Sequence, residues 1–432
     1  MTDIYEIAEY TLEALKKSGA DAAQCIVSKS KKDELNVDGG KFSLMRSTFN
    51  TSISMKAIKD GKKGVTSINQ ATKEAIDGAA AQCISAAQSS VPDEAEQIAP
   101  FTAKAEYKTG VFEPELDKLF DRIEEFMSQT AAEYPKIILE QLISDYEHSE
   151  KLYMNTNGTS LKYEHGEYSF NTMFSAHEGE KASSFNGYFC ALNSLDKPFM
   201  DAGMQRQLLA ESEKQLDTVS PSEKFVGRVI YSPDCFNELL QTALENFASS
   251  GVLIDGTSPW KDALNTKVAS EKLNLRSVPL DGRTVVGQRF TSDGYPVEDM
   301  DIIIDGVLKT FILSQYGANK TGFPRSLNSG NNLEVLPGNK ALEEMISGID
   351  RGLIVNRFSG GQPSSNGDFS GVAKNSFLIE NGKVVSAVSE TMISGNIIDM
   401  LNNIVAVSKE QTTDGLSFMP WAEFDGVTVS GK

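Results

Sequence analysis

An α+β architecture is the fold class this sequence predicts, with an N-terminal α/β-type mixed domain and a larger, predominantly antiparallel β C-terminal domain carrying a few helices. Three observations predict it. Helix-period apolar patterns open the chain and recur at intervals, period-2 runs stand between them, and Asp-Gly or Asn-Gly pairs separate several of those runs. Such pairs are the strongest short-range signal for two-residue hairpins, because both central residues of a type I′ turn need φ > 0. At 432 residues with 40% hydrophobic content, the chain exceeds the usual single-domain range and can bury two or three cores.

The first helix follows from Asp3 and Glu6, a capping pair ahead of an apolar face made by Ile4, Ile7, Ala8, Thr11, Leu12 and Leu15; Gly19 ends it. Strand patterns follow over 22–30, 33–37 and 52–59, and Asp60-Gly61 turns the chain back toward 64–67. A second helix is predicted over 71–87, completing an N-terminal domain at 1–90. The polar, proline-bearing stretch 91–113 reads as a linker. A central helix-plus-strands domain, 114–219, holds a helix at 115–133 and strands over 136–146, 152–163, 167–176 and 183–192. Asn157-Gly158 and Asn186-Gly187 are expected to supply its turns, and a helix over 201–216 leads to the Ser220-Pro221-Ser222 break. The C-terminal β-rich domain, 222–432, contains two similar hairpin signals, Asp305-Gly306 and Asn381-Gly382.

Composition narrows the function. There are 41 basic against 60 acidic residues, a formal charge of −19, so phosphate backbones are repelled and direct nucleic-acid binding is disfavoured. The N-terminal MTDIYEIAEYTLEALKKSG lacks the basic start and uninterrupted apolar run of a signal peptide, and no apolar stretch approaches a membrane span. A cytoplasmic location is the expectation. Cys25, Cys83, Cys190 and Cys235 are scattered without a CxxC and read as reduced, mostly buried thiols. His148, His165 and His177 have spacings that fit no helical ligand pair, and they read as partly exposed strand or loop residues with acidic neighbours at Glu150, Glu167 and Glu178. The glycine-rich segments 328–332 and 359–363 lack the spacing of phosphate-binding loops and read as plain loops.

The segment 367–406 carries the densest set of functional signals. Counting outward from Asn381-Gly382 sets Glu380 against Lys383 and Lys374 against Ser389. The GDFSG turn then meets Ser389-Glu390 at the far end, and Ser394 or Asn396 caps a helix over 397–403. Asp368, Ser370, Ser389, Glu390, Ser394 and Asn396 are therefore the candidate cleft-lining residues; the same residues also serve as ordinary turn and cap residues. Ser370 and Ser389 have no histidine nearby in sequence to take a proton, and Lys374 would have to be desolvated to serve as a base. No catalytic residue is assigned.

These motifs also carry a resemblance. GLIVNRFSGG, GDFSG, FLIENGKVVSAVSE, ISGNIIDMLNNIVAV and DGVTVSGK resemble the C-terminal domain of the TldD/PmbA family on its PmbA, or TldE, side; 292–322, 19–27 and 60–67 fall in the family's order upstream. Metal-bearing members of that family resemble one another in a His-Glu-x-x-x-His helix that puts two imidazoles on one helical face. Here the matching helix after Ser232-Pro233-Asp234 has Gln241, Thr242 and Asn246 at those places, and no cysteine follows Val407. The resemblance thus implies a chain with no metal or other cofactor of its own. It implies a subunit of a cytoplasmic metallopeptidase that helps enclose peptide or unfolded substrates for a zinc-bearing TldD-like partner. A homodimeric peptide-binding or regulatory protein, indirectly linked to DNA gyrase through the family's older label, is the alternative. That alternative needs no protease partner.

Overall fold

A computed structural model describes residues 3–221, 223–360 and 363–431. The chain is α+β, built on two large sheets. The first helix, Ile4–Lys17, forms as its pattern requires: Asp3 accepts a hydrogen bond from the Glu6 amide at 2.9 Å, and all six residues of the expected apolar face are buried. It packs with the helix Lys73–Ser89 on the strands Ala22–Asp38 and Lys41–Lys59, where Cys25, Val27, Ile53 and Met55 complete a local core.

The first sheet runs in the order Lys62–Ile68, Lys41–Lys59, Ala22–Asp38, Ile137–Asn155, Ser160–Glu178, Lys104–Gly110, with Asn186–Leu192 also paired to Ser160–Glu178. This arrangement crosses the domain boundaries expected from sequence. Ala22–Asp38 pairs with Ile137–Asn155 from Gln24↔Asn155 through Asp38↔Gln141, joining segments 1–90 and 114–219 in one sheet. The expected linker contributes a strand of its own, Lys104–Gly110, parallel to Ser160–Gly166. The reason is length. Strands of 17 to 19 residues replace the short ones expected within 22–37, 52–59 and 136–176, and polar interruptions such as Lys31-Lys32 become strand residues once both neighbours supply hydrogen bonds. Asn157-Gly158 does turn the chain, with Gly158 at φ 92°. Asn186-Gly187 does not: it begins a strand, and the buried Asn186 amide donates to Ser212 Oγ at 3.1 Å.

In the second sheet the C-terminal strand Phe418–Ser430 is the hub, antiparallel to Phe225–Tyr231, Thr391–Asn396 and Ile404–Thr413, and parallel to Leu333–Val335. The two sheets share an apolar core in which Leu35, Phe126, Phe170 and Phe199 meet Ile230, Ile354, Phe377 and Trp421. Asp60-Gly61, Asp305-Gly306 and Asn381-Gly382 all have φ between 49° and 74° at both residues, as type I′ turns demand. After Asp305-Gly306, however, only Val307–Leu308 forms the return strand.

Candidate functional site

The helix Pro233–Ala248 sets the site. Ser232 caps it, accepting from the Cys235 amide, and Pro233 takes the first turn, where its missing N–H costs nothing. Cys235, Phe236, Leu239, Leu240, Ala243, Leu244 and Phe247 are buried. Of the remaining positions, Asp234, Asn237, Glu238, Gln241, Thr242 and Glu245 recur at helical spacing on the opposite face. Along that face runs a chain of recesses. A groove of about 810 Å³ lies between Asn237, Gln241 and Glu245 and a far wall carrying Lys151, Tyr163 and Arg289. A second recess of about 400 Å³ is bounded by Glu238, Thr242 and Glu245 and by the strand residues Phe358 and Phe369. Two more, of about 350 and 540 Å³, lie over Asp234 and Glu238 against Thr172 and Gly187.

The helix side of this cleft is acidic and the far wall is basic. Asp234 stands on the rim, exposed to water yet surrounded by protein on most sides; desolvation first, and the Asp414 carboxylate second, push its carboxyl up to about 6. Burial lowers Lys151 from the ordinary lysine value. Arg289 is held by Nη1 donating to Pro279 O at 2.6 Å and stacks toward Tyr163. Burial raises the Cys235 thiol well above its ordinary value, so it is no thiolate nucleophile. The loop at 328–332 walls the groove; Asn328 and Asn332 hold it with side-chain bonds to Glu298 O and Leu416 O at 2.8 and 3.0 Å. Of the loop expected at 359–363, Ser359 and Gly360 belong to the strand Arg357–Gly360, and Gly361 and Gln362 lie outside the described residues.

The residues singled out from sequence separate into three groups. Gln241 and Thr242 line the cleft, Gln241 in three of the four recesses. Asn246 lines none of these recesses. Five residues at 3.6 per turn place it about 140° around the helix from Gln241, so the two do not share the single helical face expected of them. In the second group, Asp368 pairs with Asn396 and Ser370 with Ser394. Asn396 Nδ2 donates to Asp368 Oδ1 at 2.9 Å, while Asn396 Oδ1 caps the helix Ile397–Asn402 through the Ile398 amide at 2.9 Å. Hydrogen bonds from Asn396 and Asn366 hold the exposed Asp368 carboxyl below its ordinary value. This cluster faces outward: side chains alternate along Asp368–Lys374, and it is the intervening Phe369 that reaches the recess.

The third group, Ser389 and Glu390, does not meet the others. Glu380 does face Lys383, but a bulge at Val385 shifts the register, setting Ser376 against Val388. Asn375 and Glu390, with φ of 51° and 48°, then break the long hairpin into two strand pairs. Ser389 lies on the other side of that break from Asn396, where its amide donates to Val219 O at 3.0 Å and its hydroxyl accepts from Thr218 at 2.8 Å. Lys374 faces Arg357 across the adjacent strand pair.

All three histidines lie in the long strands of the first sheet. His148 Nε2 is 3.0 Å from Glu164, His177 Nε2 is 3.0 Å from Ser175 Oγ, and His165, expected to be partly exposed, is buried with Nδ1 2.8 Å from Thr109 Oγ1. All four cysteines are free and buried. Among the described residues no group of three or more His, Cys, Asp or Glu side chains is placed to hold a metal ion. The amide and hydroxyl side chains at Gln241, Thr242 and Asn246 do not fit a zinc site. Among the described residues no helix is long and apolar enough to cross a membrane. The residues that sequence reasoning missed, Asp234, Glu238 and Glu245, carried one legible signal: helical spacing on the polar face of the same helix.

Comparison with known proteins identifies the architecture. Residues 224–431 match the family model for the PmbA/TldA metallopeptidase C-terminal domain, and residues 23–87 that for its domain 1. The chain is 32% identical over 155 residues to the metalloprotease PmbA of Escherichia coli O157:H7, covering 35% of this chain and 34% of that protein. It is 25% identical over 283 residues to a metalloprotease PmbA homolog of Buchnera aphidicola, covering 61% and 62%. In both, the match spans less than two thirds of the relative's length. The crystal structure of TldE from Thermococcus kodakarensis has the same fold, with a TM-score of 0.82 at 22% identity over 98% of this chain and 100% of that one. The two family models together cover more than half of the 432 residues, and the chain is a member of the PmbA/TldD family.

Proposed function

We propose that this chain is the metal-free, PmbA/TldE-like subunit of a cytoplasmic peptidase, and that its cleft along Pro233–Ala248 holds a peptide for a zinc-bearing TldD-like partner. One observation carries this reading. The helix that resembles the metal-binding helix of other family members presents Gln241 and Thr242 to a deep groove, so the walls of a peptide site are kept while the residues at those positions are poor ligands and poor bases. The groove's facing acidic and basic walls suit the two ends of a peptide. Backbone and amide groups can orient a substrate there without supplying chemistry. A peptide-binding or regulatory homodimer would use the same groove and differ only in lacking the partner.

The test is co-expression with a TldD-like protein, followed by peptide cleavage with and without a chelator. Chelator-sensitive cleavage by the pair, with neither cleavage nor stoichiometric zinc for this chain alone, is expected. One zinc per chain in the isolated protein overturns the metal-free assignment, and peptide binding without any added cleavage in the pair favours the regulatory reading.

A further inference from the structure

Two cations on the far wall of the groove, Lys151 and Arg289, have no carboxylate paired with them among the described residues. Lys151 faces Tyr163 across the strands Ile137–Asn155 and Ser160–Glu178, so the two side chains share one face of the first sheet. Burial is the only cause that lowers Lys151; no charged neighbour contributes. Its Nζ lies 5.7 Å from the centre of the Phe290 ring, at the outer limit of a cation–π contact. Arg289 lies over the same Tyr163, with Cζ 5.5 Å from the ring centre. Its Nη1 is spent on Pro279 O and Gln288 O at 2.6 and 3.1 Å, whereas Nε and Nη2 donate to no group among the described residues. That leaves the edge of the guanidinium that takes a carboxylate side-on. A close approach holds the fork there: a Cβ at Gly287 would stand 2.1 Å from Pro279 O and 2.8 Å from Arg289 Nη1. With 60 acidic against 41 basic residues, counter-ions are plentiful in this chain, yet this half-buried pair has none.

We infer that Lys151 and Arg289 form a subsite for the C-terminal carboxylate of a peptide, the open Arg289 edge taking both oxygens and Lys151 supplying a second positive charge. The inference rests on the reading of this groove as a peptide site, and it names which end of the peptide the basic wall holds. Two features select a chain end over other anions. The groove, at about 810 Å³, is far larger than a free carboxylate needs, and it shares Gln241 and Glu245 with the recess beside Thr242. A chain anchored by its end therefore has room to run along the helix. Glu245 and Asp414, on the lining of the same groove, repel further negative charge and so disfavour phosphate esters and acidic runs.

Calorimetry on the full-length chain tests the subsite with three N-acetylated Gly/Ala/Phe octapeptides: the free acid, its C-terminal amide, and an amide ending in Glu. The free acid is expected to bind about tenfold or more tighter than its amide, and added salt to shrink that preference. Lys151→Met keeps the apolar stem, and Arg289→Lys keeps the charge but loses the fork. Each should remove most of the preference while leaving amide binding within about twofold of wild type. Because Lys151→Met removes a desolvated charge with no partner, its thermal midpoint should equal or exceed that of the wild type. A midpoint well below wild type would make Lys151 a packing residue of the Phe290 core and overturn the proposal. Equal binding of acid and amide overturns the carboxylate subsite and leaves the peptide reading standing, whereas binding of none of the three removes both. Recovery of free-acid affinity by the amide ending in Glu, or displacement of the free acid by an equal concentration of inorganic phosphate, would show that any anion is accepted and overturn the assignment to a chain end.

Discussion

The two faces of the strand Asp368–Lys374 differ in what their polar and apolar groups have left to offer. Outward, Asp368, Ser370, Ser394 and Asn396 form a cluster whose best acceptor, the Asp368 carboxylate, already takes bonds from Asn366 and Asn396 at 3.0 and 2.9 Å. Inward, Phe369 closes a recess of about 400 Å³ opposite Thr242 and Glu245. A gathering of hydrogen-bonding residues can be complete in itself, and the surface with unspent capacity is then on the other side of the same strand. Glu167 shows the opposite extreme. It is largely buried, and its Oε2 lies 3.1 Å from the buried His165 Nε2, with no other hydrogen-bond partner among the described residues.

Four measurements would sharpen or break this contrast. The largest effect is expected for Gly382→Val, which attacks the turn joining the strands Ser376–Glu380 and Lys383–Val388 that follow the contrasted strand. Its φ of 73° opposes a β-branched side chain, and an added Cβ would lie 2.8 Å from Ser347 O. A loss of about 3 kcal/mol is expected from the denaturant midpoint. An unchanged midpoint would mean that the turn does not hold this register.

Next, Thr242→Arg fills the inward recess with a good helix former, so the fold should survive. Peptide turnover by a reconstituted complex should fall about 100-fold. Undiminished turnover at wild-type stability would remove the recess from the site.

Glu167 supplies a pH test. Burial first, then Glu147 and Asp145, push its carboxyl up to about 7. His165 Nε2 lies 3.1 Å away but is itself held below its ordinary value by burial, so the two do not form an ion pair at neutral pH. Because the folded form holds its proton to higher pH than the unfolded chain, this group's effect on stability is absent below about pH 4.5, grows more unfavourable as pH rises to about 7, and is constant above that. Glu167→Gln should remove that decline and stabilise the protein at pH 8 by about 2 kcal/mol. Parallel stability–pH curves for the two proteins would show that Glu167 is not desolvated.

The smallest effect belongs to the outward face. Asp368→Ala should leave turnover within about twofold of wild type, since the carboxylate bonds to its own neighbours. A tenfold loss with association intact would bring that face into the site and erase the distinction between the two.

The sequence by itself determined the local devices: the capped first helix with its six buried apolar residues, three Asp-Gly or Asn-Gly turns with both residues at positive φ, and a polar cap at Ser394 or Asn396, which the structure assigns to Asn396. Each depends on residues within a turn or two of one another, so composition and spacing suffice. Tertiary structure decided the rest. The bulge at Val385 and the reversal at Glu390, which separate Ser389 from Asp368, are set by the neighbouring strands rather than by the hairpin's own turn. One sheet uniting 1–90 with 114–219 requires pairing across more than 100 residues of chain, and period-2 patterns cannot name their partners. The cleft is likewise a product of assembly. Helical spacing told which side of Pro233–Ala248 was polar, but only the packing of the first sheet and the C-terminal loops against that side made it a groove.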